Sequence, residues 1–151
     1  MTQIRYGIAT QEDIDFIDGV YTQNMAALHG TPRSRETWKA LLAEQNTKYY
    51  IIYTDAPVGW FRLDREADGV WLGMLQIKPA CQRRGIGSAT LAAAEQLARE
   101  QGFSALGIHT TQDNLPARAL YASCGYACAE IGPCTTADGV RRVGYTFRKK
   151  L

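Results

Sequence analysis

At 151 residues the chain has the length of one domain, enough to bury a core without disulfides or metal, which sets small stapled scaffolds aside. Apolar and charged fractions of 46% and 21% exclude a disordered segment, and a formal charge of +2 disfavours nucleic acid as a partner held by bulk electrostatics. No apolar run nears the roughly 20 residues of a bilayer span, and Met1 to Thr10 has no signal-peptide core, so the expectation is a cytoplasmic protein with no membrane partner.

Ile4 to Ala9 alternates as a first strand, and Thr10-Gln11-Glu12-Asp13 reads as a capped helix start. The helix it opens carries Ile14, Ile17, Tyr21 and Leu28 on one face and is broken by Gly30, Thr31 and Pro32. Ser34 caps a second helix with Trp38, Leu41 and Leu42 on one side, ending near Asn46. Tyr49 to Tyr53 and Val58 to Leu63 are β-rich neighbours across Asp55-Ala56-Pro57, and Asp68-Gly69 turns the chain into a third strand, Val70 to Ile77.

From Ile86 to Gln101 the spacing of Leu91, Ala94 and Leu97 predicts a long helix stopped at Gly102. Ala105 to Thr110 reads as a short buried strand, and a helix of about two turns follows Pro116 and stops at Gly125. Tyr126 to Ile131 and Val140 to Phe147 close the chain as two strands joined through Asp138-Gly139. The order predicts a mixed α/β sheet with helices on its faces rather than a regular βαβ repeat. Arg141-Arg142 and Arg148-Lys149-Lys150 read as a solvated strand end. Cys81, Cys124, Cys128 and Cys134 form no Cys-x-x-Cys pair and lie far in sequence from His29 and His109, so no metal site is expected and the thiols read as free, mostly buried small hydrophobes.

The stretch with most chemical content is strand, turn, helix: Val70 to Gln101 with Gln82-Arg83-Arg84-Gly85-Ile86-Gly87 between. A helix N-terminus leaves N–H groups unpaired and carries partial positive charge, which suits a phosphate. Gly85 and Gly87 allow close backbone approach, Arg83 and Arg84 add charge, and Ser88 adds a hydroxyl. A P-loop needs Gly-Lys-Ser/Thr where Gly87-Ser88-Ala89 stands, and a dinucleotide fingerprint needs a small residue where Thr90 stands, so neither motif fits.

Leu75-Gln76-Ile77-x-Pro79, then Gln82-x-x-Gly85-Ile86-Gly87, then Asn114-x-Pro116-Ala117-Arg118-x-Leu120-Tyr121-x-x-x-Gly125-Tyr126, resembles the GNAT superfamily of acyl-CoA-dependent N-acetyltransferases over about Val70 to Tyr126. That resemblance implies a single GNAT-like domain over 1–151, with a mostly antiparallel sheet of about seven strands, splayed at the CoA site and flanked by about four helices. It implies acetyl-CoA as co-substrate, an amine acceptor, and allows a homodimer. It assigns the CoA pyrophosphate to Gln82, Arg83, Arg84, Gly85, Ile86, Gly87 and Ser88, and the acyl and pantetheine portions to the main chain of Leu75, Gln76 and Ile77. Asn114 takes the pantetheine-bonding position, and Tyr121 the position of the acid that protonates the departing thiolate.

Relatives often carry Asp or Glu on the strand matching Val70 to Ile77, and this strand has neither. The amine's proton acceptor is therefore open between His109 and a water held by Gln76. The same gap motivates an alternative, a non-catalytic acyl-CoA-binding or interaction module. A third reading, acetylation of aminoacyl-tRNA, needs a basic face that the charge does not provide. The acceptor side is expected from His29 to Arg35, from the strand pair near Trp60 and from the C-terminal hairpin; Asn24, Trp38, Trp60 and Trp71 read as core as readily as pocket.

Overall fold

The computed structural model describes residues 3–151, and in it one sheet of seven strands runs in the order β1-β2-β3-β4-β5-β7-β6. Short turns make β1 (Arg5–Ile8), β2 (Thr47–Tyr53), β3 (Pro57–Glu66) and β4 (Gly69–Ile77) successive neighbours, with β1–β2, β2–β3 and β3–β4 antiparallel. The helical crossover after β4 brings β5 (Ala105–Thr111) in parallel to it, as parallel pairing requires a long connection. β7 (Arg141–Lys150) then pairs antiparallel with both β5 and β6 (Ala127–Thr135). The mixed α/β sheet expected from the element order forms, and it is mostly antiparallel with seven strands, as the family resemblance implies.

Two helices cover each part of the sandwich. On one face, α1 (Ile14–Asn24) and α2 (Arg35–Leu42) bury Ile14, Ile17, Val20, Tyr21 and Trp38 against Tyr49, Ile51 and Trp60. On the other, α3 (Ile86–Glu100) and α4 (Leu115–Ser123) bury Ile86, Leu91, Ala94, Ala98 and Tyr121 against strands β2 to β5 and β7. Trp38 and Trp60 are fully buried and meet edge to face at 5.9 Å, so both belong to the core; removing either ring costs about 3–5 kcal/mol.

The caps read from the sequence are made. Thr10 accepts from Glu12 N–H at 3.3 Å, Ser34 from Thr37 N–H at 3.1 Å and Asn114 from Ala117 N–H at 3.4 Å. Several boundaries differ from the sequence reading. Thr10 caps a single 3-10 turn ahead of α1, and α1 ends at Asn24, so Leu28 is not on its face. The tail Met25 to His29 winds into i→i−3 turns and finishes with His29 at φ 53, which ends helical geometry before Gly30 is reached. α2 stops at Leu42, short of Asn46, with its last turn closed by Ala43 N–H. β6 and β7 extend further than their apolar cores because they pair with each other across the whole hairpin.

Two expectations about polar groups are corrected. None of the four cysteines is in the buried class, Cys128 being exposed on edge strand β6. The basic C-terminal strand is not simply solvated: Lys149 reaches across to the buried Glu95 at 3.0 Å, whose other oxygen accepts from Tyr126. Among the described residues no helix is long and apolar enough to cross a membrane, and no three His, Cys, Asp or Glu side chains are placed to hold a metal ion.

Candidate functional site

Where β4 meets β5 the sheet comes apart. Only Val70, Trp71 and Leu72 pair with Leu106, Gly107 and Ile108; beyond them the two strands diverge. The cause is visible in the β3–β4 register, where Leu72 faces Leu63 and Met74 faces Arg62, leaving Gly73 as an extra residue. A Cβ at Gly73 would run into the Arg62 guanidinium and the Asp64 carboxylate, so glycine lets that ion pair sit against the strand. The main-chain groups of Gly73 to Ile77 that point toward β5 therefore have no strand partner there.

The gap opens as a cavity of about 510 Å³. Leu75, Gln76, Asn114 and Tyr121, four residues singled out from the sequence, line it together. Tyr121 is 8% exposed, rests against Phe147 and Tyr126, and has no hydrogen-bond partner for its hydroxyl among the described residues. Burial pushes its pKa up to about 12, so the phenol keeps its proton across the physiological range. Asn114 both caps α4 and faces the cavity.

Ile77 is not among the lining residues. Its carbonyl already accepts from Asn24 Nδ2 and Gln82 Nε2, both at 3.0 Å. Gln76 is buried and its Oε1 also accepts from Asn24 Nδ2, at 3.1 Å. Asn24, at the last turn of α1, thus pins the end of β4, and the Gln82 side chain folds back to the same place instead of pointing out.

The turn Gln82 to Ser88 lies at that end of β4. Arg83 at φ 61 and Gly85 at φ 79 reverse the chain into α3, whose first turn has no side-chain cap and no acidic residue. Arg83, Arg84, Gly85 and Ser88 are exposed, while Ile86 is buried and anchors the helix in the core. A Cβ on Gly87 would lie 3.0 Å from Leu120 and 3.8 Å from Ile77, so α3, α4 and β4 converge here, one residue from Tyr121. The result is a helix N-terminus with unpaired N–H groups beside two arginines, adjoining a cavity walled by unpaired strand backbone.

On the α1–α2 face, His109 lines the cavity and stacks on Trp71 at 4.4 Å, nearly parallel. The Trp71 ring lies across β5 at Gly107, where any Cβ would overlap it, and its Nε1 donates to Asp68. His109 Nδ1 is 3.0 Å from the Thr146 hydroxyl, which leaves Nε2 without a partner among the described residues. His109, Thr146 and Glu130 are register partners across β5, β7 and β6, and all three line the cavity. β6 thus brings a carboxylate, Glu130, to the cavity lining, which the sequence reading did not single out because it depends on β7 lying between β5 and β6.

The tail after α1 closes the cavity from above. Ala27 and Leu28 line it, and His29 Nε2 lies 2.6 Å from Asp113 Oδ2, tying the tail to the β5–α4 loop. The His29 carbonyl also accepts from Asp138 N–H in the β6–β7 hairpin. Hydrogen bonds from Thr111 and from His29 hold the Asp113 carboxyl below its ordinary range. His29 was expected on the acceptor side, but Gly73, Met74 and the Met25 to Leu28 part of the tail were not singled out, although a lone glycine inside a strand is a recognisable bulge signal.

Comparison with known proteins bears on this geometry. A family model described as the acetyltransferase (GNAT) family matches residues 14–126. A search of curated proteins finds no significant match. Among solved structures, the Salmonella typhimurium acetyltransferase that modifies the N-terminal serine of ribosomal protein L7/L12 superposes with a TM-score of 0.84 at 16% identity, over 100% of this chain and 96% of that one. Spermidine N-acetyltransferase from Vibrio cholerae, in complex with CoA and spermine, gives 0.84 at 14%, over 98% and 95%. An N-acetyltransferase from Thermoplasma acidophilum in complex with coenzyme A gives 0.78 at 16%, over 99% of each chain. At these identities the likeness is one of fold, whereas the family model spans most of the sequence. The chain therefore belongs to the acetyltransferase (GNAT) family and is an acetyl-CoA-dependent N-acetyltransferase.

Proposed function

We propose that residues 1–151 act as one catalytic domain in which the β4–β5 gap receives the thioester from the α3–α4 side and a primary amine from the α1–α2 side. The observation that carries this reading is the gap itself: unpaired β4 backbone ending at an uncapped, arginine-flanked helix N-terminus. The pyrophosphate rests on the turn Gln82 to Ser88, held by the N–H groups of Ile86, Gly87 and Ser88 and by the charges of Arg83 and Arg84. Main-chain groups of Leu75 and Gln76 and the Asn114 side chain hold the pantetheine arm as an added strand would be held. The Ile77 carbonyl, already doubly bonded, keeps β4 in place.

In the reaction a neutral amine attacks the thioester carbon; the C–N bond forms as the C–S bond breaks. Tyr121 gives its proton to the leaving sulfur, a role suited to a phenol that stays protonated in its buried setting. His109 takes the amine's proton at Nε2, its ring oriented by Thr146 and Trp71. The amines in the related complexes and substrates, spermine and an N-terminal serine, are consistent with a primary amine acceptor. The cytoplasm, where four free cysteines remain reduced, is the compartment that fits.

The test is paired. CoA should raise the melting temperature, and a panel of amines with acetyl-CoA should release free thiol for at least one member. Thermal protection by CoA without thiol release from any primary amine would overturn the primary-amine acceptor.

A further inference from the structure

The acceptor side of the cavity has a floor that the reaction just described does not use. Register partners in a sheet point to the same face, so β5, β7 and β6 present two adjacent rows: His109, Thr146 and Glu130, then Thr111, Gly144 and Gly132. All six line the cavity. Tyr145 and Phe147, which alternate with Gly144 and Thr146 along β7, pack into the α3–α4 core, so both rows face the α1–α2 side assigned to the amine. Gly144 and Gly132 leave the second row bare at its far end, and a Cβ on Gly132 would meet nothing within 4 Å. The Met25 to His29 tail passes overhead, held to the β6–β7 hairpin by Asp138 N–H. The result is a trough running across the strands from β6 to the β4–β5 gap.

Charge separates the two ends of this trough. Among the described residues that line the cavity, Glu130 is the only Asp, Glu, Lys or Arg, and it stands two strand spacings from His109, roughly 10 Å. Glu130 is exposed, so a solute reaches it from water, and no ion pair among the described residues includes it. The arginines on the same face of β7 are engaged elsewhere: Arg148 lies over the Trp71 ring at 4.9 Å, and Arg142 pairs with Asp138 at 2.9 Å. A lone exposed carboxylate attracts a cation weakly in open water, but a trough with protein walls and one sign of charge focuses its field.

We infer that Glu130 is an acceptor-binding residue that holds a second cationic group of the substrate, so that the acceptor is a diamine or another small amine with a positive charge roughly 10 Å from the nitrogen that is acetylated. The second cation rests on Glu130 at the β6 end, the arm lies over Gly132 and Gly144, and the reacting amine reaches His109 and the gap. Glutamate at this place selects by charge and by length together. The inference rests on the N-acetyltransferase reading and narrows it to a substrate class.

The test compares linear α,ω-diamines of increasing length with monoamines of the same length, in the wild type and in Glu130→Gln, following thiol release from acetyl-CoA. The doubled number of amines and any change in basicity are the same for both enzymes, so the ratio of the two preferences isolates Glu130. For diamines long enough to span from His109 to Glu130, the preference in kcat/KM should be about fivefold larger in the wild type, carried by KM, and should shrink as salt is raised. Equal preferences in the two enzymes would overturn the inference while leaving the enzyme reading intact. The same excess with 1,2-diaminoethane, too short for the span, overturns it as well. If no amine releases thiol, binding decides: the long diamine should protect the CoA-loaded wild type from heat more than it protects CoA-loaded Glu130→Gln, and equal or absent protection overturns the inference.

Discussion

The two sides of the β4–β5 gap are assembled from different materials. On the α3–α4 side the chemistry lies in backbone: unpaired groups of β4, the N-terminus of α3, and a turn made possible by Gly85 and Gly87. On the α1–α2 side it lies in side chains that converge from distant elements: His109 on Trp71, His29 on Asp113, Arg62 on Tyr49. A backbone site binds a constant ligand, because any sequence that keeps the strand, turn and helix presents the same N–H groups. A side-chain site is individual, because each substitution changes its charge and shape. That division fits a family in which the donor is shared and the acceptor differs from one member to the next.

Substitutions should separate along the same line, with the largest effect expected where the sides meet. Tyr121→Phe should lower kcat about a hundredfold for every acceptor while CoA affinity holds. Because burial pushes the Tyr121 pKa up to about 12, wild-type kcat should show no alkaline loss from this group until the pH approaches that value. Equal turnover by the phenylalanine variant in a chemistry-limited assay would remove Tyr121 from the acid role.

His109→Gln should follow, lowering kcat/KM by about tenfold to a hundredfold near neutral pH. Part of that loss should be recovered at higher pH, where more of the amine is neutral without help. A uniform loss at all pH values would instead point to a packing role beside Trp71.

Arg84→Glu should weaken CoA about tenfold by opposing the phosphates, with the KM of the amine unchanged. If it moved the amine and not CoA, the phosphate turn would be assigned to the wrong side. The smallest effect is expected at the strap over the cavity. His29→Ala removes the Asp113 contact and should raise the amine KM only about threefold, since the partner carboxylate is largely exposed. CoA binding measured by calorimetry should not respond.

The legibility of the molecule follows this division too. The sheet class, the four helices and their caps were readable because alternation, helical spacing and capping residues act over a few neighbouring positions. So was the strand-turn-helix of Gln82 to Ser88, the proposed seat of the phosphates, where two glycines and two arginines stand next to a helix start. Leu28 was misassigned to α1 because its spacing continues the helical pattern, and nothing local reveals that the backbone tightens after Asn24. Cys128 and Cys134 were misjudged because burial depends on which strands lie at the sheet edges, and β6 is one of them, while Cys81 and Cys124 sit at a turn and a helix end.

The sequence by itself determined the elements of the proposed donor half: a strand, a glycine turn and a helix start that present backbone N–H groups, followed by Asn114 and Tyr121 at their spacing. Only the tertiary structure decided the acceptor half. The strand order, with β7 set between β5 and β6, brings Glu130 into line with His109, and the Gly73 bulge opens the gap beside Arg62. The physical reason is range. Backbone donors are aimed by the dihedrals of adjacent residues, whereas converging side chains depend on pairings between residues as far apart as His29 and Asp113, whose proximity no local pattern encodes.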